Sequence, residues 1–202
     1  MEVSFVWSVG NESMVLVYSD GRVVDDGTVI TEKYKKIERI NARIAVGYTG
    51  KLVFANLVIK KTEENIDDLE TIESIEEYAR ELEKQFKELQ ELYKDCNCSF
   101  IIGGVSRAHK YGIITFGTRQ LSPVFVYPNG IDKIVFASIS NENNKIGERI
   151  LQEKLTQMIR EKNDTPTDSD YYKMMRPLLK EVAKIDDTVN TQMYREIIKL
   201  DK

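Results

Sequence analysis

Short apolar runs rich in β-branched and aromatic residues fill the first fifty positions, and stripes spaced by three and four follow. Residues 3–9 and 14–18 read as strands joined by a hairpin turn at Gly10-Asn11-Glu12. Asp25-Asp26-Gly27 marks a second turn, and residues 37–47 supply further strand. Residues 51–61 predict a buried helix whose wide apolar face is made by Leu52, Val53, Ala55, Val58 and Ile59. The clearest periodic signal comes next. Ser74 and Glu77 form a capping-box pattern, and Ile75, Ala79, Leu82, Phe86, Leu89 and Tyr93 recur at alternating steps of four and three, the spacing of one helical face. A stripe this short packs on a sheet rather than in a coiled coil. The acidic residues 62–73 between the two helices read as a solvated loop.

The second half repeats the scheme. Strands are predicted at 99–105, 111–116, 124–127 and 134–138, with turns at 106–110 and at Pro128-Asn129-Gly130. Residues 141–161 read as a helix with Ile146, Ile150, Leu151, Leu155, Met158 and Ile159 inward. The polar stretch 162–170, containing Pro166, reads as a loop. Residues 171–185 read as a helix that Pro177 either starts or kinks, and 191–198 as a last strand. There is no internal repeat and no linker, so residues 1–202 are expected to form one domain. The pattern alone supports an α+β class with a large antiparallel sheet.

Composition narrows the function classes. Hydrophobic content of 42% and charged content of 31% describe a soluble globular chain. A net charge of −4, with basic stretches offset by nearby acids, argues against nucleic acid as a partner. No apolar run approaches the roughly 20 residues of a membrane span, and the start lacks the form of a signal peptide, so a cytoplasmic location is expected. Cys96 and Cys98 with a single histidine make a poor metal set. They read as two reduced thiols, and neither metal nor cofactor is called for.

Candidate chemistry lies in an ordered series. Sixteen positions separate Ser4 from Asp20 and sixteen more separate Asp20 from Lys36, with Gly47-Tyr48-Thr49-Gly50 shortly after. One chemistry uses these types together: hydrolysis by a nucleophile at the chain terminus whose own α-amino group is the base. A hydroxyl needs a base to take its proton, a lysine neutralised by an aspartate tunes the local field, and a glycine amide can hold the oxyanion. The stretches carrying the series resemble the proteasome β subunit and the peptidase of the bacterial heat-shock-locus protease. Met14-Val-Leu-Val-Tyr-Ser-Asp-Gly-Arg22 is similar to the second strand of that family. The stretch from Gly27 to Ile40 is similar to the hairpin that delivers its lysine, and Ile44-Ala-Val-Gly-Tyr-Thr-Gly50 to the strand and turn before its first long helix. Phe100-Ile-Ile-Gly-Gly-Val105 with Tyr111-Gly-Ile-Ile-Thr-Phe116 resembles the central hairpin, and Phe136-Ala-Ser-Ile-Ser140 stands at its glycine- and serine-rich turn.

The resemblance implies a four-layer αββα sandwich, two stacked antiparallel sheets flanked by helices. It implies Ser4 as nucleophile once Met1-Glu2-Val3 is removed, Asp20 and Lys36 as the tuning pair, Gly50 as oxyanion donor, and Ser140 and Asp187 as supports around the terminal amine. Serine stands where the family has threonine, β-branched Val3 crowds the bond to be cut, and Ala137 and Ile139 occupy positions usually held by glycine. Each residue also has a plainer reading. Ser4 can be an ordinary strand serine, Asp20 can open an Asp-Gly turn, Lys36 belongs to a run with Lys33 and Lys35, and Gly50 suits a helix start. His109 reads as an exposed bystander. Three functions therefore stand side by side: a peptide- or amide-bond hydrolase, a non-catalytic assembly or partner-binding subunit of the same fold, and a small-molecule amidohydrolase. The family works as closed rings, so a homo-oligomer is expected, with an unfoldase or regulatory protein as a further partner.

Overall fold

Strands Phe5–Asn11, Met14–Ser19 and Tyr111–Gly117 are buried at every position. Sheets built from them can face water on neither side and must be covered twice. The computed structural model describes residues 2–3, 5–118, 120–128, 134–140, 145–161 and 164–199. In chain order the elements are β1 (Glu2–Val3), β2 (Phe5–Asn11), β3 (Met14–Ser19), β4 (Val23–Asp25), β5 (Thr28–Thr31), β6 (Ile37–Asn41), β7 (Ile44–Lys51), α1 (Leu52–Glu64), α2 (Ile75–Leu92), β8 (Cys98–Val105), β9 (Tyr111–Gly117), β10 (Gln120–Val126), β11 (Val135–Ser140), α3 (Lys145–Glu161), α4 (Asp168–Val182) and β12 (Tyr194–Ile198).

An eight-stranded sheet runs β10-β9-β8-β7-β1-β4-β5, with β6 also paired to β7, and a four-stranded sheet runs β11-β2-β3-β12. The pairings are antiparallel. Alternation along each strand sorts side chains into three cores. Val6, Val15, Val17, Ala45, Ile101 and Ile113 meet between the sheets. On one outer face Val46, Tyr48, Phe100 and Ile102 pack against Phe54, Val58, Ile75, Leu82 and Phe86 of α1 and α2. On the other, Phe5, Trp7, Leu16 and Tyr18 pack against α3 and α4 through Leu151, Leu155, Tyr171 and Met175. The architecture is the αββα sandwich. No helix of the described residues is long and apolar enough to cross a membrane.

Local chemistry explains where the sequence reading holds and where it shifts. Ser74 caps α2, its Oγ accepting from the Glu77 amide at 3.3 Å, and Asp26 and Gly27 both take positive φ, as a two-residue type I′ hairpin requires. The first hairpin turns later than expected, because Asn11 stays in β2 and its Oδ1 accepts from the amides of Ser13 and Met14. Val53, Tyr93 and Ile159, expected inward, are exposed, and Leu89 is half-buried, so the inward stripes are narrower than their apolar content. Residues 62–73 are not simply solvated. Helix α1 continues to Glu64, Thr62 and Ile72 are buried, and Asn41 Nδ2 anchors the stretch through the carbonyls of Leu69 and Ile72. Helix α4 starts at Asp168 because Thr167 and Asp170 form a full capping box, which leaves Pro177 inside the helix. Asn129, Gly130, residues 141–144 and the Ile146 side chain lie outside the described residues.

Phe86 meets Phe54, Phe100 and Phe116 at ring-centroid separations of 6.0, 6.0 and 5.9 Å and is almost fully buried. Phe86→Ala is expected to lower unfolding free energy by about 3–5 kcal/mol. The exposed Leu92→Ala is expected to stay within about 0.5 kcal/mol of the parent, both measured by urea titration.

Candidate functional site

The short strand β1 decides the geometry of this region. One edge of β7 is taken by β8 along its length. The other is shared: β6 pairs with its first half, Ile37 opposite Gly47, and β1 with its end, Val3 opposite Gly50. Between them the Tyr48 amide donates to the Lys36 carbonyl at 3.2 Å. β1 is also bonded to β4, Val3 opposite Val23. Residues 2–3 thus fill a slot between β4 and the end of β7, while the chain resumes in the other sheet at Phe5. Ser4 itself lies outside the described residues.

Asp20 follows directly on β3, where the Asp20 amide reaches the Phe5 carbonyl at 3.4 Å. Lys36 directly precedes β6. Both side chains are fully buried, and Lys36 Nζ donates to Asp20 Oδ1 in a close ion pair. The second carboxylate oxygen, Oδ2, accepts from the amides of Arg22 at 2.9 Å and Asn190 at 3.4 Å. Burial pushes the Asp20 carboxyl up and pulls the Lys36 ammonium down, and their mutual attraction opposes both shifts. Gly50, next to last in β7, has φ of +94°, and a Cβ there would stand 2.2 Å from the Asn97 carbonyl oxygen. Any other residue would be strained in backbone and blocked in space. The expectation of a helix-start glycine is corrected by one position, since Gly50 is still in the strand and Lys51 is the N-cap of α1.

The other expected residues divide. Ser140 ends β11 opposite Phe5, so its backbone comes to the residue after Ser4; its side chain lies outside the described residues. The Asp187 side chain is exposed, and its carbonyl accepts from Arg22 Nη1. The neighbouring Asp186 is the carboxylate that acts electrostatically on Lys36. Asn190 ties the region together. Its Oδ1 accepts from the Gly21 amide at 2.9 Å and its Nδ2 donates to the Glu32 carbonyl at 2.8 Å, while Arg22 grips Glu32 at 3.0 Å. Nothing in local spacing signals a partner 170 positions away. His109 sits exposed in a turn at positive φ. Cys98 is buried with its thiol pushed well up by desolvation, and among the described residues no cluster of three or more metal-ligating side chains occurs.

Two stacked antiparallel sheets covered by helices on both outer faces form the proteasome-like fold, and comparison with solved structures agrees. Anbu, an ancestral beta-subunit, from Yersinia bercovieri aligns with a TM-score of 0.74 at 15% identity, over 97% of this chain and 82% of that one. The helical assembly of the Anbu complex from Pseudomonas aeruginosa gives 0.71 at 14%, over 97% and 81%. Eukaryotic HslV from Trypanosoma brucei gives 0.64 at 16%, over 98% and 100%. No family model matches the sequence, and no curated protein does. At such identities the likeness is one of fold.

Removing one member of a buried pair strands the other charge in the interior. Lys36→Met is expected to destabilise by about 3–5 kcal/mol, by stranding Asp20, whereas Asp20→Asn with Lys36→Met is expected to recover most of the loss. Guanidinium melts of the two singles and the double give the coupling directly, and additive losses would show that the pair is not coupled.

Proposed function

We propose that this chain is a self-associating, cytoplasmic, single-domain hydrolase of peptide or amide bonds, with Ser4 as a terminal nucleophile after loss of residues 1–3. The observation that carries the reading is the fully buried Asp20–Lys36 pair. Desolvating both charges works against folding, and a scaffold has no use for it. A lysine held near a hydroxyl by a neutralising aspartate favours the alkoxide-like form of the nucleophile. The β-register supports the same reading. Cleavage directed by Ser4 attacks the Val3 carbonyl, and Val3 is the register partner of Gly50, the glycine whose amide is the candidate oxyanion donor.

In this mechanism the Ser4 hydroxyl oxygen bonds to the substrate carbonyl carbon as its proton passes to the free α-amine. The Gly50 amide holds the resulting oxyanion. Collapse breaks the C–N bond, the ammonium returns its proton to the departing amine, and an ester on Ser4 remains. Water, deprotonated by the same α-amine, hydrolyses that ester. Once residues 1–3 leave, the unpaired edges of β4 and the end of β7 suit an extended peptide, which adds as a strand and meets Gly50 as Val3 does.

A second reading is favoured by one observation. The strand Glu2–Val3 is well paired on both sides, which suits a non-catalytic subunit whose slot is permanently closed. A chain produced to begin at Ser4, by removal of an N-terminal fusion, separates the two. Hydrolysis of peptide amides by that chain is expected, with losses of about 10²-fold or more in Ser4→Ala and Lys36→Met and retention in Ser4→Thr. No turnover from a folded chain with an exposed Ser4 amine would leave the non-catalytic subunit. Turnover of small amides but not of peptides would favour an amidohydrolase.

A further inference from the structure

Two places on the eight-stranded sheet expose large apolar side chains, and they lie at its opposite edges. At one end the β4–β5 hairpin projects as an arm, with every residue from Asp25 to Ile30 exposed and Val29 and Ile30 at 45% and 51%. At the other end β10 exposes Val124 and Phe125 at 49% and 47%. Apolar side chains gathered at a sheet edge mark a contact surface.

We propose that the arm of one copy of this chain docks on the β10 edge of the next, giving a head-to-tail interface. Charge selects this pairing over the alternatives. Asp25 and Asp26 form the tip of the arm, whereas the turn beside the β10 edge carries exposed Arg107 and Lys110. That turn leads into β9 at Tyr111, next to the β9 residues paired with β10. Arm against arm sets acid on acid, edge against edge sets base on base, and arm against edge joins opposite signs. The contact is made by side chains and not by strand addition, because both edges are irregular. In the arm the register jumps between Val23 and Val24, leaving Ile30 as an extra residue. In β10 it shifts between Gln120 and Val124, around Pro123. Bulges and proline at an edge block further ladder pairing. Such an interface is heterologous, so it propagates to a closed ring or an open helix. The inner strand of the arm, β4, is also the strand bonded to Val3, so a seated neighbour steadies one wall of the slot.

The inference rests on the self-association in the preceding reading but not on hydrolysis, so the test is run in a Ser4→Ala background and reads mass alone. Sedimentation at micromolar concentration is expected to show an assembly well above the chain mass of 23.3 kDa. Ile30→Asp and Phe125→Asp, both at exposed positions, are each expected to sediment as folded monomers. Mixed together they retain one good arm and one good edge, and a one-to-one dimer is expected. A monomeric parent, single variants that still assemble, or a mixture that stays monomeric would each overturn the interface. Should either aspartate variant lose its far-ultraviolet circular dichroism, the charge exchange decides instead. Asp26→Lys and Lys110→Asp are each expected to weaken assembly several-fold and the pair to restore it, and a double variant as weak as the singles would overturn the proposal.

Discussion

Withdrawing the charges of Asp20 and Lys36 from water is the constraint around which the rest of this structure is arranged. Neither ion is tolerable there alone, so each needs the other and each needs its remaining polar capacity met. Asp20 obtains it from backbone amides of Arg22 and Asn190, and those amides are held in turn by Asn190 gripping Gly21 and Glu32. Three separated segments of chain are thereby fixed to one carboxylate: the end of β3 with the turn after it, the approach to β6 and the loop before β12. Hydrogen bonds to the charged form and a nearby opposite charge are the two forces that can oppose desolvation, and both are present.

The sandwich supplies the burial that makes this pair matter. Strands with apolar residues on both faces bring two sheets together, and the chain must cross from one to the other between Val3 and Phe5. Val3 pairs where β7 changes partners from β6 to β1, and the Asp20 amide meets the Phe5 carbonyl in the other sheet. A polar network at the junction of two apolar sheets is exposed to a low dielectric, where its contacts are stronger and its omissions costlier. Gly50 belongs to the same junction. Its positive φ and the closeness of Asn97 allow the β7 backbone to turn into α1 without a side chain intervening.

Much of this was legible in the sequence because it is carried by periodicity and local chemistry. The α2 stripe from Ile75 to Phe86, the Ser74 cap and the Asp26-Gly27 turn are each determined within a few residues. The pairing of Asp20 with Lys36 was legible for a different reason: the ordered spacing of a strand end and a hairpin resembles that of a known family. What was not legible depends on contacts distant in sequence. Asn190 has no local mark that ties it to Asp20. Val53 and Ile159 were misread for a related reason, since an apolar residue at the margin of a helical face is buried only if the neighbouring layer extends that far.

The short strand β1 joins the structural and chemical arguments. On the proposed reading one covalent bond, between Val3 and Ser4, holds two blocks at once. It acylates the amine that would serve as the base, and it keeps a strand in the slot a substrate would enter. Breaking that bond removes both together, whereas displacing the strand alone would open the slot and leave the amine acylated. The pairing of Val3 with Gly50 on one side and Val23 on the other holds the residue before Ser4 in a strand, as an incoming peptide would have to be held. On that reading residues 1–3 are both inhibitor and first substrate.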